Sequence, residues 1–372
     1  MAALLLVLGL AVLTFGAEVL VRAASALALA MRISPLVVGL TVVSFGTSAP
    51  ELVVSVVAAY SGASEIALGN VVGSNIVNVL LILGLSAAII PLTVAQRLVR
   101  FEVPLMIGIS LLLWALAISG SVERVEGLIL VALLVVYVVW TIVDSRRQLE
   151  RTNDDESLAA IAEHPRGVTV PAAGRPTPQR IALQLVQLAV GLGLLVLGSR
   201  MFTGAAIELA RYFGVSELVI GLTIVSLGTS LPEVATSVVA AIRGERDLAV
   251  GNVVGSNLFN ILAVLGISAS VAPAGIDVPQ QALDVDVPVM IAVAVACLPI
   301  FFTGLVIARW EGLLFLAYYT AYLVYQWLAA TSQLRSSNFA TAMLGFVVPL
   351  TAITLLVTVW QSLRKRREAR SA

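Results

Sequence analysis

The sequence is dominated by long apolar segments that follow one another with short polar connections between them. Eleven segments reach the length of about 20 residues that a helix needs to cross a bilayer. They lie at residues 2–28, 34–60, 65–91, 102–119, 125–144, 180–208, 216–242, 248–272, 285–305, 310–330 and 339–362. Because the bilayer interior offers the backbone no hydrogen-bonding partner, such segments must form helices. The pattern predicts an all-α integral membrane protein.

The composition excludes several other classes of protein. Only 12% of the 372 residues are charged, whereas about a quarter are charged in a soluble domain. The net charge of zero and the lack of a large basic tract argue against a nucleic-acid partner. One cysteine and one histidine cannot supply the ligand cluster of a zinc or iron enzyme. Nothing in the composition indicates an organic cofactor or an obligate protein partner, and we expect neither.

The distribution of basic residues predicts the orientation. With the N-terminus outside, most of the 22 Lys and Arg residues fall in cytoplasmic connections or in the C-terminal tail. This is the bias that membrane proteins show. The outer connection around Asp277, Asp284 and Asp286 then has no basic residue. We therefore expect an outer N-terminus and a cytoplasmic C-terminus in a prokaryotic-type plasma (inner) membrane.

An internal repeat divides the chain into two halves. Residues 34–91 align without a gap to residues 216–273, and about 34 of 58 positions are identical. In the predicted topology the two copies enter the membrane from opposite sides. Inverted repeats with interrupted helices and a site at the midplane are typical of secondary transporters. We expect a first five-helix repeat at residues 1–144 and a proline-rich cytoplasmic linker at 145–179. A second, inverted five-helix repeat is expected at 180–330, followed by an extra helix with a basic tail at 331–372.

The first repeated motif is Gly-Thr-Ser-x-Pro-Glu, at residues 46–51 and 228–233, midway along an apolar span. Proline removes a backbone donor and disturbs the preceding turn, so carbonyl groups near Ser44 and Ser226 are expected to be freed. A glutamate at that depth is costly unless it faces a cation or a pathway. The hydroxyl residues lie three and four positions before the glutamate, on the same helical face. They are Thr47 and Ser48 before Glu51, and Thr229 and Ser230 before Glu233.

The second repeated motif is Gly-Asn-Val-Val-Gly-Ser-Asn-x-x-Asn, at residues 69–78 and 251–260. Ser74 and Asn78 are four residues apart, so their side chains lie on one stripe, and Ser256 and Asn260 repeat this. The other asparagines fit cross-helix hydrogen bonds at least as well as ion contacts. Together the motifs supply carboxylate, hydroxyl, amide and carbonyl oxygens. Such a set suits a hard cation such as Ca²⁺, and two carboxylates balance one Ca²⁺ or two Na⁺.

These motifs resemble the alpha-repeats of the sodium/calcium exchanger family, within the calcium/cation antiporter superfamily. The first and sixth spans also resemble the family pattern, with Gly-Ala-Glu-Val-Leu-Val-Arg at 16–22 and Gly-Ser-Arg-Met-Phe at 198–202. The resemblance implies a ten-helix core, to which the span 339–362 is an addition. It also implies Ca²⁺ and Na⁺ as transported ions, and alternating access through sliding of the first and sixth helices.

The resemblance further implies a set of cation ligands. They are Thr47, Ser48, Glu51, Ser74, Asn78, Thr229, Ser230, Glu233, Ser256 and Asn260, with the carbonyl groups of Ser44 and Ser226. Potassium-dependent members have aspartate where this chain has Asn260, so the amide argues against K⁺ co-transport. The sequence leaves open a proton-coupled Ca²⁺ antiporter, in which the two glutamates carry protons. A cation channel and an intramembrane enzyme are further alternatives, disfavoured by the inverted broken helices and by the absence of a nucleophile–base pair.

Overall fold

The computed structural model describes residues 2–31, 33–151, 178–214, 224, 226–302, 304–330, 352 and 356. Most of these residues are helical. The first half contains α1 (Ala2–Met31), α2 (Pro35–Thr47), α3 (Ala49–Tyr60), α4 (Ser64–Ile89), α5 (Leu98–Ala117) and α6 (Arg124–Arg151). The second half contains α7 (Pro178–Tyr212), α8 (Ser226–Gly228), α9 (Leu231–Arg243), α10 (Arg246–Val271), α11 (Ala282–Phe302) and α12 (Arg309–Ala330).

The helices confirm a protein that crosses the membrane several times. Within the described residues, seven helices are long and apolar enough to span a bilayer. The pair α2 and α3, bent by 45°, passes the same test when the two helices are counted as one broken span. Of the predicted span 339–362, only residues 352 and 356 are described, and both are helical. Much of the predicted span 216–242 before residue 226 also lies outside the described residues, so the count of eleven stays a prediction.

The last helix of the first half is longer than the predicted span 125–144. It continues to Arg151, and α7 begins at Pro178. Two contacts with other segments lie where the predicted span ends. Asp144 Oδ2 lies 3.2 Å from Arg97 Nη1, and Ser145 Oγ accepts a hydrogen bond from Ser34 N at 3.2 Å. Residues 152–177 lie outside the described residues.

The expectation of an all-α fold missed four short strands of two residues each. They are β1 (Leu92–Thr93), β2 (Ser121–Val122), β3 (Ile276–Asp277) and β4 (Val306–Ile307). β1 pairs antiparallel with β4, and β2 pairs antiparallel with β3, so each pair joins the two halves. Pairing satisfies backbone groups of the connections where they meet. Such short strands have no apolar alternation that a sequence could reveal.

The centre of the molecule is formed by α4 and α10. Buried residues make up all of the most apolar 18-residue window of α10 and 72% of that of α4, but only 22% in α6 and in α7. The two central helices carry the second repeated motif. The fold therefore seals one copy of that motif from each half inside the protein, and leaves α6 and α7 to face outward.

The long helices α1 and α7 pack against each other in opposite directions. A Cβ atom on Gly9 would lie 2.6 Å from Phe202 N, and one on Gly16 would lie 2.9 Å from Leu195 N. Later positions in α1 thus meet earlier positions in α7. Glycine permits this close approach, as small residues do between membrane helices. Since α1 and α7 occupy corresponding places in the two halves, equivalent elements run antiparallel here.

Candidate cation site

The glutamate of each repeat lies in the first turn of a new helix. α2 ends at Thr47, and Ser48 leaves the helical conformation before α3 begins. Pro50 and Pro232 lie in the first turns of α3 and α9, where a missing backbone donor costs nothing. Glu51 and Glu233 follow directly. A helix N-terminus favours a negative charge, so the break provides a favourable position for each carboxylate.

The structure corrects the position of the freed carbonyl groups. Ser44 O accepts a hydrogen bond from Ser48 N at 3.0 Å, so it is not released by the break as we expected. The interruption falls at Ser48, because the proline belongs to the new helix instead of distorting the old one. The backbone of Ser226 is helical in α8, and its side chain lies outside the described residues.

The two halves exchange hydrogen bonds at the glutamates. Ser48 Oγ donates to Glu233 Oε1 at 3.2 Å, and Ser230 Oγ donates to Glu51 Oε1 at 3.2 Å. Each carboxylate is 1% exposed, and the two lie close enough to interact electrostatically. The spacing in the sequence placed each serine on the same helical face as the glutamate of its own repeat. In the structure each serine donates its hydrogen bond to the glutamate of the other repeat.

The second motif joins the same centre. Ser74 Oγ lies 3.4 Å from Ser230 Oγ, which itself binds Glu51. Asn78 lies one turn further along α4, and α9 packs against the segment that begins there. This segment, Asn78–Leu83, is π-helical, and so is its counterpart Asn260–Leu265. π-helical turns occur frequently at functional sites.

Several buried oxygen atoms at this centre have no hydrogen-bond partner among the described residues. They are Glu51 Oε2, Glu233 Oε2, Asn78 Oδ1, Asn260 Oδ1 and Ser256 Oγ. A buried polar atom without a partner is costly, and a buried charge without a partner is more so. Four of the five atoms are acceptors only. Oxygen acceptors of this kind are the ligands that a hard cation prefers.

The threonines and the first asparagine of each second motif form a supporting layer. Thr47 Oγ1 lies 3.3 Å from Asn252 Oδ1, while Asn252 Nδ2 donates to Ser237 Oγ at 3.0 Å. In the other half, Thr229 Oγ1 lies 3.5 Å from Asn70 Oδ1, and Asn70 Nδ2 donates to Ser55 Oγ at 2.9 Å. These asparagines therefore make cross-helix hydrogen bonds, one of the two roles that the sequence left open.

The structure thus links each glutamate to a serine of the other half and Ser74 to Ser230, while Ser256 is buried with no hydrogen-bond partner among the described residues. Asn75 and Asn257 also make cross-helix hydrogen bonds, since their side chains accept from Asn260 and Asn78 at 3.1 and 3.0 Å. Sequence reasoning missed the two methionines that these asparagines contact, Met290 and Met106. A signal was present: Glu-Val-Pro-Leu-Met at 102–106 recurs as Asp-Val-Pro-Val-Met at 286–290.

Fold and site define a membrane protein whose two matching halves enclose one acidic, oxygen-lined centre. Comparison with known proteins gives the family. The family model described as "Sodium/calcium exchanger protein" matches residues 1–143 and 183–328. The chain belongs to the sodium/calcium exchanger family, as the sequence motifs predicted.

Individual relatives cover most of the chain. The inner membrane protein YrbG of Escherichia coli is 39% identical over 80% of this chain and 88% of its own length. The sodium/calcium exchanger MaX1 of Methanosarcina acetivorans is 32% identical over 86% and 97%. A solved structure of the sodium-calcium exchanger NCX_Mj, soaked with zero Na⁺ and Ca²⁺, superposes with a TM-score of 0.69 at 29% identity, covering 86% of this chain and 96% of that chain.

Proposed function

We propose that this protein is a secondary active antiporter that exchanges Ca²⁺ for Na⁺ by alternating access to the site described above. One observation carries the proposal: two buried glutamates from equivalent segments meet at the centre, each hydrogen-bonded by a serine of the other half. The family supports the two ions, since its matching model is that of sodium/calcium exchangers. The unpartnered oxygens support a cation as the transported species.

We infer that the side chains already named bind the ions. Glu51 and Glu233 supply the charge, and the hydroxyl and amide oxygens of the two motifs complete the coordination. Ca²⁺ accepts six to eight oxygen ligands in flexible geometry. Two carboxylates are neutralised by one Ca²⁺ or by two Na⁺, and either alternative removes the cost of burying the charges. Because the site holds either Ca²⁺ or Na⁺ but not both at once, transport of one ion is coupled to transport of the other in the opposite direction.

The same proposal includes the arrangement across the membrane. Two five-helix halves, 1–144 and 180–330, would cross in opposite directions, with the N-terminus outside and the C-terminus in the cytoplasm. The antiparallel packing of α1 against α7 supports this inversion. An inverted pair with a shared central site can open to either side by exchanging the conformations of its halves. The span 339–362 would lie outside this exchange core.

Calcium uptake by vesicles containing the purified protein tests the function. Vesicles loaded with NaCl are diluted into Na⁺-free buffer containing radioactive calcium. We expect uptake that requires the Na⁺ gradient and disappears when a Na⁺ ionophore dissipates it. Vesicles without protein and vesicles loaded with KCl serve as controls. Uptake by the NaCl-loaded vesicles in outer buffer with and without K⁺ tests the inference from Asn260 that K⁺ is not required.

The same vesicles distinguish the alternatives. Uptake driven by a pH gradient in the absence of Na⁺ would overturn Na⁺ coupling and identify a proton-coupled antiporter. Calcium flux down its own gradient without any counter-ion, with continuous single-channel current in planar bilayers, would identify a channel. Protease accessibility of tags at the two ends tests the orientation, because only the C-terminal tag should be protected in right-side-out membranes.

A further inference from the structure

Asn78, a proposed ligand, is connected to two further side chains by two successive hydrogen bonds. Its Nδ2 donates to Asn257 Oδ1 at 3.0 Å, and Asn257 Nδ2 in turn donates to Met106 Sδ at 3.3 Å. Asn78 Oδ1 is left without a partner among the described residues. All three residues are buried, at most 2% exposed. A chain of hydrogen bonds therefore runs from a methionine in α5, through α10, to the site.

The other half contains the same chain. Asn260 Nδ2 donates to Asn75 Oδ1 at 3.1 Å, and Asn75 Nδ2 donates to Met290 Sδ at 3.4 Å. Asn260 Oδ1 is again the atom without a partner. The two methionines are equivalent members of the acidic-Val-Pro-x-Met motif. The arrangement is thus built twice from corresponding residues.

The chemistry of the thioether gives the chain a direction. A methionine sulfur can only accept a hydrogen bond, whereas a side-chain amide has an accepting end and a donating end. The neighbouring asparagine must therefore turn its NH₂ group toward the sulfur and its oxygen toward the next asparagine. That oxygen in turn requires the NH₂ group of the proposed ligand. The oxygen of the ligand is then the atom left for the site.

We propose that Met106 and Met290 are positioning residues that make Asn78 and Asn260 present oxygen, and not NH₂, to the transported cation. The inference rests on the proposed function, because it assigns a role to second-layer residues of the same site. Without the sulfur, the asparagine next to it is free to rotate by half a turn. The proposed ligand can then turn its own NH₂ group toward the cation. The cation repels the positively polarised hydrogen atoms of that group. The sulfur thus keeps the amide oxygens of the two ligands oriented toward the site even when no ion is bound.

Substitution of the sulfur by carbon tests this role. Met106→Leu keeps the volume and removes the acceptor, and such a swap is well tolerated in cores. We expect the Kd for Ca²⁺ to rise about fivefold, the effect that loss of one ordinary hydrogen bond has on an equilibrium. Equilibrium binding of radioactive calcium to the purified protein measures this. Met31→Leu, at the end of α1, is the control and should leave the Kd unchanged.

A double-mutant cycle separates positioning from packing. In an Asn257→Asp background, residue 257 can only accept, so it holds Asn78 in the same orientation with or without the sulfur. The effect of Met106→Leu should then disappear. The same rise in Kd in both backgrounds, or no rise in the wild-type background, would overturn the proposal. Met290→Leu with Asn75→Asp repeats the cycle in the other half if one aspartate variant fails to fold.

This experiment separates the two proposals. Binding does not require coupling to Na⁺, so it is measurable whether or not exchange occurs. If the wild-type protein binds no calcium, the proposed function is wrong. If the wild-type protein binds calcium and the leucine variants bind it equally well, only the role of the methionines is wrong.

Discussion

The two halves of the molecule agree at the centre and differ at the periphery. At the centre, each serine–glutamate contact and each amide–thioether chain occurs twice with distances that differ by 0.1 Å or less. At the periphery, Glu102 and Asp286 occupy corresponding positions in α5 and α11, and each accepts a hydrogen bond from a tyrosine. Glu102 also pairs with Arg97, whereas Asp286 accepts from Gln326.

A second peripheral difference involves α1. Glu18 forms an ion pair with Arg22 on its own helix and with Arg243 at the end of α9. The position equivalent to Glu18 is Arg200, so the charge there is reversed. The agreement at the centre fits the proposed ion-binding role, which both copies of the central residues would share. The charges at the periphery differ between the halves.

The largest expected effect tests the equivalence of the two glutamates. Glu51→Gln and Glu233→Gln each remove half of the negative charge from a buried site, and loss of one partner of a buried charged contact is severe. We expect each variant to reduce Na⁺-dependent calcium uptake at least about 100-fold, since a loss of about 2.7 kcal/mol has that effect. Glu65→Gln, on the exposed first turn of α4, is the matched control.

Folding of the two glutamine variants is checked by their elution as a single peak in detergent. Folded variants with wild-type uptake would contradict the site. Loss of activity in one variant and not in the other would show that the halves, although alike in geometry, are unequal in function.

A smaller effect tests the peripheral difference. Arg97 contacts the fully buried Glu102 and also Asp144, and its guanidinium lies 5.3 Å from the centre of the Trp140 ring. Arg97→Gln removes a charged hydrogen bond to the buried Glu102, so we expect the free energy of unfolding to fall by about 2 kcal/mol. Gln326→Leu removes only a neutral donor and should cost about 1 kcal/mol.

The melting temperatures of both variants in detergent measure this difference. A larger loss for Gln326→Leu than for Arg97→Gln would contradict our account of the two carboxylates. Equal losses would mean that the ion pair adds nothing to the tyrosine contact that both halves share.

The smallest of these effects concerns the hydroxyl groups that cross between the halves. Ser48→Ala and Ser230→Ala each remove one hydrogen bond to a carboxylate, a contact stronger than a neutral one. We expect the KM for Ca²⁺ to rise about tenfold in each. Ser119→Ala, on an exposed connection, should have no effect. If the single variants affect only the maximal rate, the serines act on the conformational change and not on binding.

The sequence predicted the family, the multiple membrane helices and the central polar residues, because each of these depends on local pattern. The length of an apolar segment predicts a membrane-spanning helix. A motif that occurs in both halves indicates residues that share one function. Periodicity also placed Ser74 and Asn78 on one face of α4. It could not say which helix that face would meet. For the same reason it could not show that Ser48 would donate to Glu233 of the other half.

The role of the methionines was hidden by a change in spacing. The long repeat has a constant offset of 182, whereas Met106 and Met290 are separated by 184 residues. The intervening connections differ in length, so an alignment without gaps ends before it reaches these residues. The short strands escaped prediction because two residues carry no periodicity.

The sequence by itself determined that this chain must enter a membrane and that its two halves carry the same oxygen-bearing residues. Local composition decides these properties, since the bilayer acts on every segment separately. Only the tertiary structure decided that each serine would reach the glutamate of the other half, and that each central amide would be oriented by a distant thioether. Such contacts join segments far apart in the chain, and they arise from the packing of whole helices rather than from the pattern within any one of them.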